Sequence, residues 1–292
     1  MENNSLRDNN SLRDSVEKII YLIIFLSISG GVIKTLGSVL GGSKSVFVDA
    51  MTCIANSLSI ILILRFFKVG LKPPDVDHHY GHGRMILGGQ ISTLMLYSFV
   101  AGVIVVDLLE SVSTGYTISI SAPIFASIGM IPYIFAIIIS RKYSSITLAY
   151  TSFTVVELIE SGVSITTSFG GATISYLIDF AGAIALTSYL FYELVKHFRG
   201  FVFMMSDIAP EGVVEEVAKS IARHGVGVEK IRIRKVIENV YQGDIVVTVP
   251  PNMSLEMAHE IADKIGCELK DKYNLEASIH LEPSKKKEGD QR

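Results

Sequence analysis

Long apolar stretches alternate with short polar connections along the first two thirds of the chain, and six of these stretches are long enough to span a membrane. A hydrocarbon core about 30 Å thick is crossed by about 20 apolar residues in a helix. The six stretches are residues 17 to 39, 45 to 67, 86 to 110, 118 to 140, 146 to 168 and 174 to 196. The pattern predicts a six-helix transmembrane domain over residues 16 to 200.

After Phe201 the apolar residues recur at shorter periods among charged ones. Their spacing predicts helices at 211 to 224 and 254 to 273, and strands at 228 to 237, 244 to 249 and 277 to 281. A turn is predicted at Gln242-Gly243. The order helix, strand, strand, helix, strand predicts a small α+β domain over residues 207 to 283, with its helices on one face of a sheet.

Both ends of the chain are polar. Residues 3 to 14 contain the sequence NNSLRD twice in succession, which is too polar to gain from burial, and we expect residues 1 to 15 to form a disordered tail. Residues 284 to 292 form a charged tail.

The composition agrees with two domains in two solvents. The chain is 49% hydrophobic and 19% charged, with a mean hydropathy of +0.43, and only eight of the 109 residues from Met85 to Glu193 are charged. The net charge of -3 argues against a nucleic-acid partner, which would require a basic face. Cys53 and Cys267 are too isolated to form a disulfide framework.

The distribution of Lys and Arg orients the predicted helices in the bilayer. Basic residues occur in the amino-terminal tail, after the second and fourth spans and at the exit of the sixth, whereas the other connections hold only Lys44. Because Lys and Arg collect on the cytoplasmic side, we expect an integral membrane protein, in the cell membrane, with both termini in the cytoplasm.

Several ionisable residues lie within the predicted spans, where a charge is costly unless it faces an ion, a cavity or a partner. Cys53 stands one helical turn after Asp49, and Glu157 lies at a similar depth in the fifth span. Two carboxylates and a thiol from two helices could together hold a divalent ion. Glu160, one turn further on, is expected near the outer end in contact with solvent, and Lys34 could pair with Asp49 or Asp179.

The loop after the second predicted span has a different composition. Three histidines and two aspartates occur within eight residues, from Asp75 to His82. Imidazole and carboxylate groups are ligands of Zn²⁺ and its neighbours in the first transition series. The loop is therefore a second candidate metal site.

The chain resembles the cation diffusion facilitator family of metal transporters. The resemblance is carried by the Asp49 region, the segment from His79 to Arg84, the six spans and the order of elements in the carboxy-terminal domain, and it extends from about residue 17 to 283. It implies a homodimer in the lipid bilayer, in which each protomer is a six-helix bundle with a metallochaperone-like cytoplasmic domain. It also implies exchange of divalent metal ions for protons.

The family's transport site has four ligand positions, which fall on Asp49, Cys53, Phe153 and Glu157. Only Asp49 is identical to the family residue; Glu157 is chemically equivalent, Cys53 is a softer ligand, and Phe153 cannot coordinate. Water, a backbone carbonyl or Asn56 could complete a four-coordinate site.

The resemblance implies further sites. Asp75, His78 and His82 keep the family's loop spacing, and His259, His280 and Glu282 match positions that bind metal between protomers, although the histidine expected near Val246 is missing. Asp179 matches a family aspartate and is expected to bond a neighbouring helix.

We therefore expect a secondary transporter that exports a divalent transition metal, Zn, Mn, Fe, Co or Cd, in exchange for protons. It would need no cofactor beyond a transported or regulatory metal ion. The alternative is a membrane metal sensor or partner subunit that keeps the fold and has lost transport. An enzyme is not expected, because the sequence has no Ser-His-Asp pattern, phosphate-binding Gly-rich loop or zincin motif.

Overall fold

The computed structural model describes residues 2–142, 148–237 and 239–284, with side chains for 18–139, 155–236 and 239–284. The chain forms two compact units. One contains residues 1–68 and 87–198, and the other contains residues 69–86 and 199–292.

The first unit is helical. Its helices are α1 (Glu2–Gly41), α2 (Lys44–Gly70), α3 (Ile86–Thr114), α4 (Ser121–Lys142), α5 (Leu148–Thr173) and α6 (Tyr176–Met205). By length and composition, five helices in the described part of the chain could cross a membrane: residues 18–41, 44–70, 83–114, 121–139 and 176–205. The fifth predicted span corresponds to α5, which is a helix of 26 residues but is not among these five, so its crossing of the membrane stays a prediction.

Helix α1 begins at Glu2, so the structure differs from the predicted disordered tail over residues 1 to 15. The chain has no Pro and no Gly before Gly30, and nothing in the polar repeat therefore stops the helix of the first span from continuing toward the amino terminus.

Helices α1 and α4 are in close contact because small residues face each other. A Cβ atom on Gly30 would lie 2.6 Å from the carbonyl oxygen of Gly129, and one on Gly129 would lie 2.9 Å from that of Gly30. Such small residues let two membrane helices approach closely. The approach places Lys34 of α1 beside Tyr133 of α4, with the Nζ atom 4.7 Å from the ring centroid.

A buried carboxylate holds the start of α2. Asp179 of α6 accepts hydrogen bonds from the backbone N–H of Lys44 at 2.8 Å and from the hydroxyls of Ser43 and Ser45 at 2.6 and 2.5 Å. A carboxylate is favourable at a helix amino terminus, where backbone N–H groups lack partners. The predicted role of Asp179, bonding a neighbouring helix, is confirmed.

The second unit has the predicted order of elements: α7 (Val213–Ala222), β1 (Gly227–Ile237), β2 (Val240–Val249), α8 (Leu255–Tyr273) and β3 (Leu275–Pro283). Strands β1 and β2 are antiparallel, β2 and β3 are parallel, and β2 is central. Both helices pack on the sheet around a buried core that includes Val217, Ile221, Ile245, Val247 and Ile265. The α+β prediction is confirmed.

The predicted turn at Gln242-Gly243 is wrong, because both residues lie inside β2. The strands instead meet around Asn239, whose φ of 58° is in the left-handed region that Asn tolerates. Gly243 faces β1 so closely that a Cβ atom there would lie 2.5 Å from the carbonyl oxygen of Arg232. This glycine marks a close approach within the sheet rather than a turn.

Candidate metal centres

Helices α2 and α5 place Asp49 at the centre of a buried polar cluster. The Ser164 hydroxyl of α5 donates to Asp49 Oδ2 at 2.6 Å, and Asp49 Oδ1 accepts from Lys34 Nζ of α1 at 2.9 Å. Both side chains of the Lys34–Asp49 ion pair are fully buried. Of the two partners considered for Lys34, the structure therefore selects Asp49.

The Lys34 ammonium also contacts polar groups of both α2 and α5. Its Nζ atom lies 3.1 Å from Cys53 Sγ and 2.5 Å from Ser161 Oγ. Cys53 Sγ lies 3.5 Å from Asp49 Oδ1, as expected for residues one turn apart. Two of the predicted metal ligands thus already share a positive charge that belongs to the protein.

The glutamates of α5 lie in a different environment. Glu157 is 1% exposed, and its Oε2 atom has no hydrogen-bond partner among the described residues. Glu160 is 8% exposed and accepts from the Thr52 hydroxyl at 3.1 Å. The expectation that Glu160 is solvated is wrong, because the residue points toward α2 rather than out of the bundle.

Two residues of this region, Thr52 and Asn56, lie outside the family's ligand spacing, although Asn56 is among the groups predicted to complete the site. Thr52 and Asn56 are one turn apart on α2, on a face next to that of Asp49 and Cys53. The Asn56 Oδ1 atom is buried without a partner in the described part of the chain. The i, i+4 spacing of Thr52 and Asn56 was the available signal. Phe153 lies in α5, but its side chain is outside the described residues.

The three predicted ligands of the loop lie close together in the structure. Ligand atoms of Asp75, His78 and His82 all lie within 4.8 Å of one another, the one such set of three or more His, Cys, Asp and Glu among the residues the structure describes. Asp75 Oδ1 lies 3.2 Å from His78 Nδ1, and Asp75 Oδ2 lies 3.4 Å from His82 Nε2. Three donors of these types could hold a Zn²⁺-like ion.

Local hydrogen bonds fix the geometry of this loop. The backbone N–H of His78 donates to Asp75 Oδ1 at 2.7 Å, and this bond, with help from the His78 ring and the backbone N–H of Asp77, lowers the pKa of the Asp75 carboxyl. His82 Nδ1 lies 3.2 Å from the carbonyl oxygen of Pro73. Since a carbonyl only accepts, Nδ1 carries the proton in the neutral ring, and Nε2 presents its lone pair to a metal.

The predicted ligands of the α+β domain remain separate within one chain. His259 lies 3.4 Å from Asp263 and is 73% exposed, and His280 lies 3.6 Å from Glu282 and is 68% exposed. The structure does not bring His259 together with His280 and Glu282 in a single set of donors within the described residues.

Two family models match the chain. The cation efflux transmembrane domain matches residues 20–205, and the cytoplasmic domain of cation efflux proteins matches residues 210–284. The chain belongs to the cation diffusion facilitator family. The resemblance inferred from the sequence is confirmed, and the two matched domains follow one another along the chain of this cation diffusion facilitator.

Its relatives are similar over nearly their whole length. The manganese efflux system protein MneP of Bacillus subtilis is 24% identical, with 91% of this chain and 94% of MneP aligned. Protein p34 of Rickettsia prowazekii is 24% identical over 94% and 95% of the two chains, and the magnetosome protein MamM of Paramagnetospirillum magneticum is 24% identical over 89% and 85%. Solved structures of CzrB align with 27–30% of this chain at a TM-score of 0.25, which is too low to support an argument.

Proposed function

We propose that this cation diffusion facilitator exports a divalent transition-metal ion from the cytoplasm in exchange for protons, as a homodimer in the cell membrane with both termini in the cytoplasm. Cation efflux itself follows from the family. The observation that supports the finer proposal is Glu157, a carboxylate buried between helices with an oxygen that has no protein partner among the described residues. A buried carboxyl group of this kind is expected to bind a cation or a proton.

The proposed coupling follows from the chemistry of coordination. A metal ion binds the deprotonated carboxylate, so its binding releases a proton, and protonation of the carboxylate releases the metal. A site that faces the cytoplasm would bind the ion, and the same site facing a more acidic exterior would exchange it for a proton. MneP is named for manganese efflux, which places Mn²⁺ among the ions to test first.

The loop and the α+β domain would have a regulatory role in this proposal. Asp75, His78 and His82 would bind a metal within one chain, whereas His259, His280 and Glu282 would require donors from a second copy. Metal bound at either place would favour one arrangement of the dimer by its differential affinity.

Flux measurements test the proposal. The protein is reconstituted into liposomes under a proton gradient, and uptake of Mn²⁺, Zn²⁺, Fe²⁺, Co²⁺ and Cd²⁺ is compared for wild type, Glu157→Gln and Glu110→Gln. Glu110 is an exposed glutamate at the end of α3, so the control makes the same chemical change outside the buried cluster. We expect flux of at least one ion in wild type and Glu110→Gln and its loss in Glu157→Gln. Equal flux in both variants would contradict the proposal.

A second candidate function is a membrane metal sensor or partner subunit that does not transport. The Lys34–Asp49 pair favours it, because an ammonium already neutralises the one ligand that is identical to the family residue. In that case no ion would cross in wild type, and the metal response would be lost on His78→Ala or His259→Ala.

A further inference from the structure

The α2–α5 pair presents two polar faces, and their charges differ. On one face, Asp49, Cys53 and Ser161 all contact the Lys34 ammonium, which lies within 3.1 Å of each. On the adjacent face of α2, the Thr52 hydroxyl donates to Glu160 of α5 at 3.1 Å, and the Asn56 side chain is hydrogen-bonded to Glu157 of α5. The structure shows no Lys or Arg side chain bonded to either glutamate among the described residues.

Lys34 acts on its face as a cation that is part of the protein. Its ammonium donates hydrogen bonds to the Asp49 carboxylate, the Cys53 sulfur and the Ser161 hydroxyl, and the centroid of the Tyr133 ring lies 4.7 Å away. A divalent ion placed between Asp49 and Cys53 would meet this ammonium at close range, and like charges repel strongly in a bundle of low dielectric constant. A metal ion is therefore disfavoured there while Lys34 is in place.

The face that carries Glu157 and Glu160 instead has buried oxygen atoms that lack a hydrogen-bond partner within the described ranges. Asn56 Oδ1 and Glu157 Oε2 are buried oxygen atoms without partners in the described part of the chain, and Asn56 is 8% exposed. Burial of unpartnered oxygens is costly unless something else coordinates them. Such atoms indicate where a cation would be held.

A small cavity lies at this face. It is lined by Thr52, Asn56, Glu160 and Glu193, with Tyr97 and Leu190 closing it on the α3 and α6 sides. Its volume, measured for the centre of a water molecule, is about 10 Å³, enough for a single water molecule or ion. Asn56, whose Oδ1 atom has no partner among the described residues, is part of its wall.

We propose that the transported cation binds at this cavity, between Asn56 and Glu160 and beside Glu157, and that Lys34 supplies the positive charge at the Asp49–Cys53 position. The inference rests on the proposed export function and names the part of the site that holds the ion. Asn56 and Glu160 both offer oxygen, from an amide and a carboxylate. Oxygen ligands suit Mn²⁺ better than the softer ions that a thiol would select.

Binding of Mn²⁺ and Cd²⁺ to the purified full chain tests the proposal. The measurements use a background with His78→Ala, His82→Ala, His259→Ala and His280→Ala, so that sites outside the bundle do not contribute. We expect Glu160→Gln to weaken Mn²⁺ binding about tenfold or more, and Asn56→Leu to act in the same direction. Cys53→Ser and the exposed control Glu110→Gln should stay within twofold of the background.

The opposite pattern would overturn the proposal. If Cys53→Ser weakens Mn²⁺ binding as much as Glu160→Gln does, or if Glu160→Gln and Asn56→Leu both leave it unchanged, the ion does not bind at the cavity. Size-exclusion chromatography identifies any variant that fails to fold, and the second of the pair then decides the result.

Removal of the internal cation gives an independent arm. Lys34→Met should create Cd²⁺ binding that Cys53→Ser abolishes, because the thiol and Asp49 then lack their ammonium. Absence of any Cys53-dependent gain would refute the role of Lys34. Failure of the export function is distinguishable, since wild type would then show no flux while the binding pattern persisted.

Discussion

The two sets of candidate metal ligands, one in the helical unit and one in the loop, differ in how their charges are stabilised. In the bundle, Asp49 is fully buried and its charge is balanced by Lys34. In the loop, Asp75 and His78 are about half exposed, and solvent screens them. The difference shows that a residue at a family ligand position is not always free to bind metal. Because Asp49 is buried, it requires a counter-charge within the protein. Asp75 and His78 are exposed to solvent and do not require one.

Removal of one member of the buried Lys34–Asp49 pair should have the largest effect on stability. Asp49→Leu should destabilise the protein by about 3–5 kcal/mol, because Lys34 would be buried without its counter-charge. Adding Lys34→Met to Asp49→Leu should restore most of this loss. Thermal unfolding in detergent measures both effects, and a single variant as stable as the double variant would refute the account of the pair.

The loop set should respond in metal affinity rather than in stability. His82→Ala removes one of three assembled donors, and we expect Zn²⁺ binding at the loop to weaken about 10–100-fold. His79→Ala is the matched control, since His79 is an exposed neighbour outside the set. Equilibrium dialysis of the full chain gives the two affinities. A loss in His79→Ala equal to that in His82→Ala would show that the loop binds metal without this geometry.

The smallest expected effect concerns a charged group in neither set. The Ser220 hydroxyl donates to the carboxylate of Glu268 in α8, and His224 Nε2 lies 2.7 Å from Glu268 Oε2. Both contacts lower the pKa of the Glu268 carboxyl. A carboxyl with a lowered pKa stabilises the fold above its ordinary pKa, and this stabilisation is lost as the pH falls through the lowered value. Glu268→Gln should therefore cost about 1 kcal/mol at pH 7 and much less in acid. Unfolding of the α+β domain in wild type and Glu268→Gln, followed at pH 7 and in acid, checks this difference.

The sequence predicted the fold well, because long apolar helices and an α+β domain follow from hydrophobic periodicity. The loop set was also predictable, since local spacing determines which donors meet, and the role of Asp179 was predictable from the family resemblance. Three features were not. The pairing of Lys34 with Asp49 depends on how α1 packs, the burial of Glu160 depends on its contact with Thr52 of α2, and the position of the β1–β2 turn depends on the sheet register.

Proton-coupled export is tested by measuring cation and proton movement at the same time. Liposomes that contain the protein and a trapped pH-sensitive dye receive Mn²⁺ on one side, and cation uptake is recorded together with the internal pH. We predict that Mn²⁺ entry drives protons out of the vesicle, that the internal pH rises, and that both signals disappear in Glu157→Gln. Mn²⁺ entry without any change of internal pH, or unchanged signals in Glu157→Gln, would contradict proton-coupled export through the buried carboxylates.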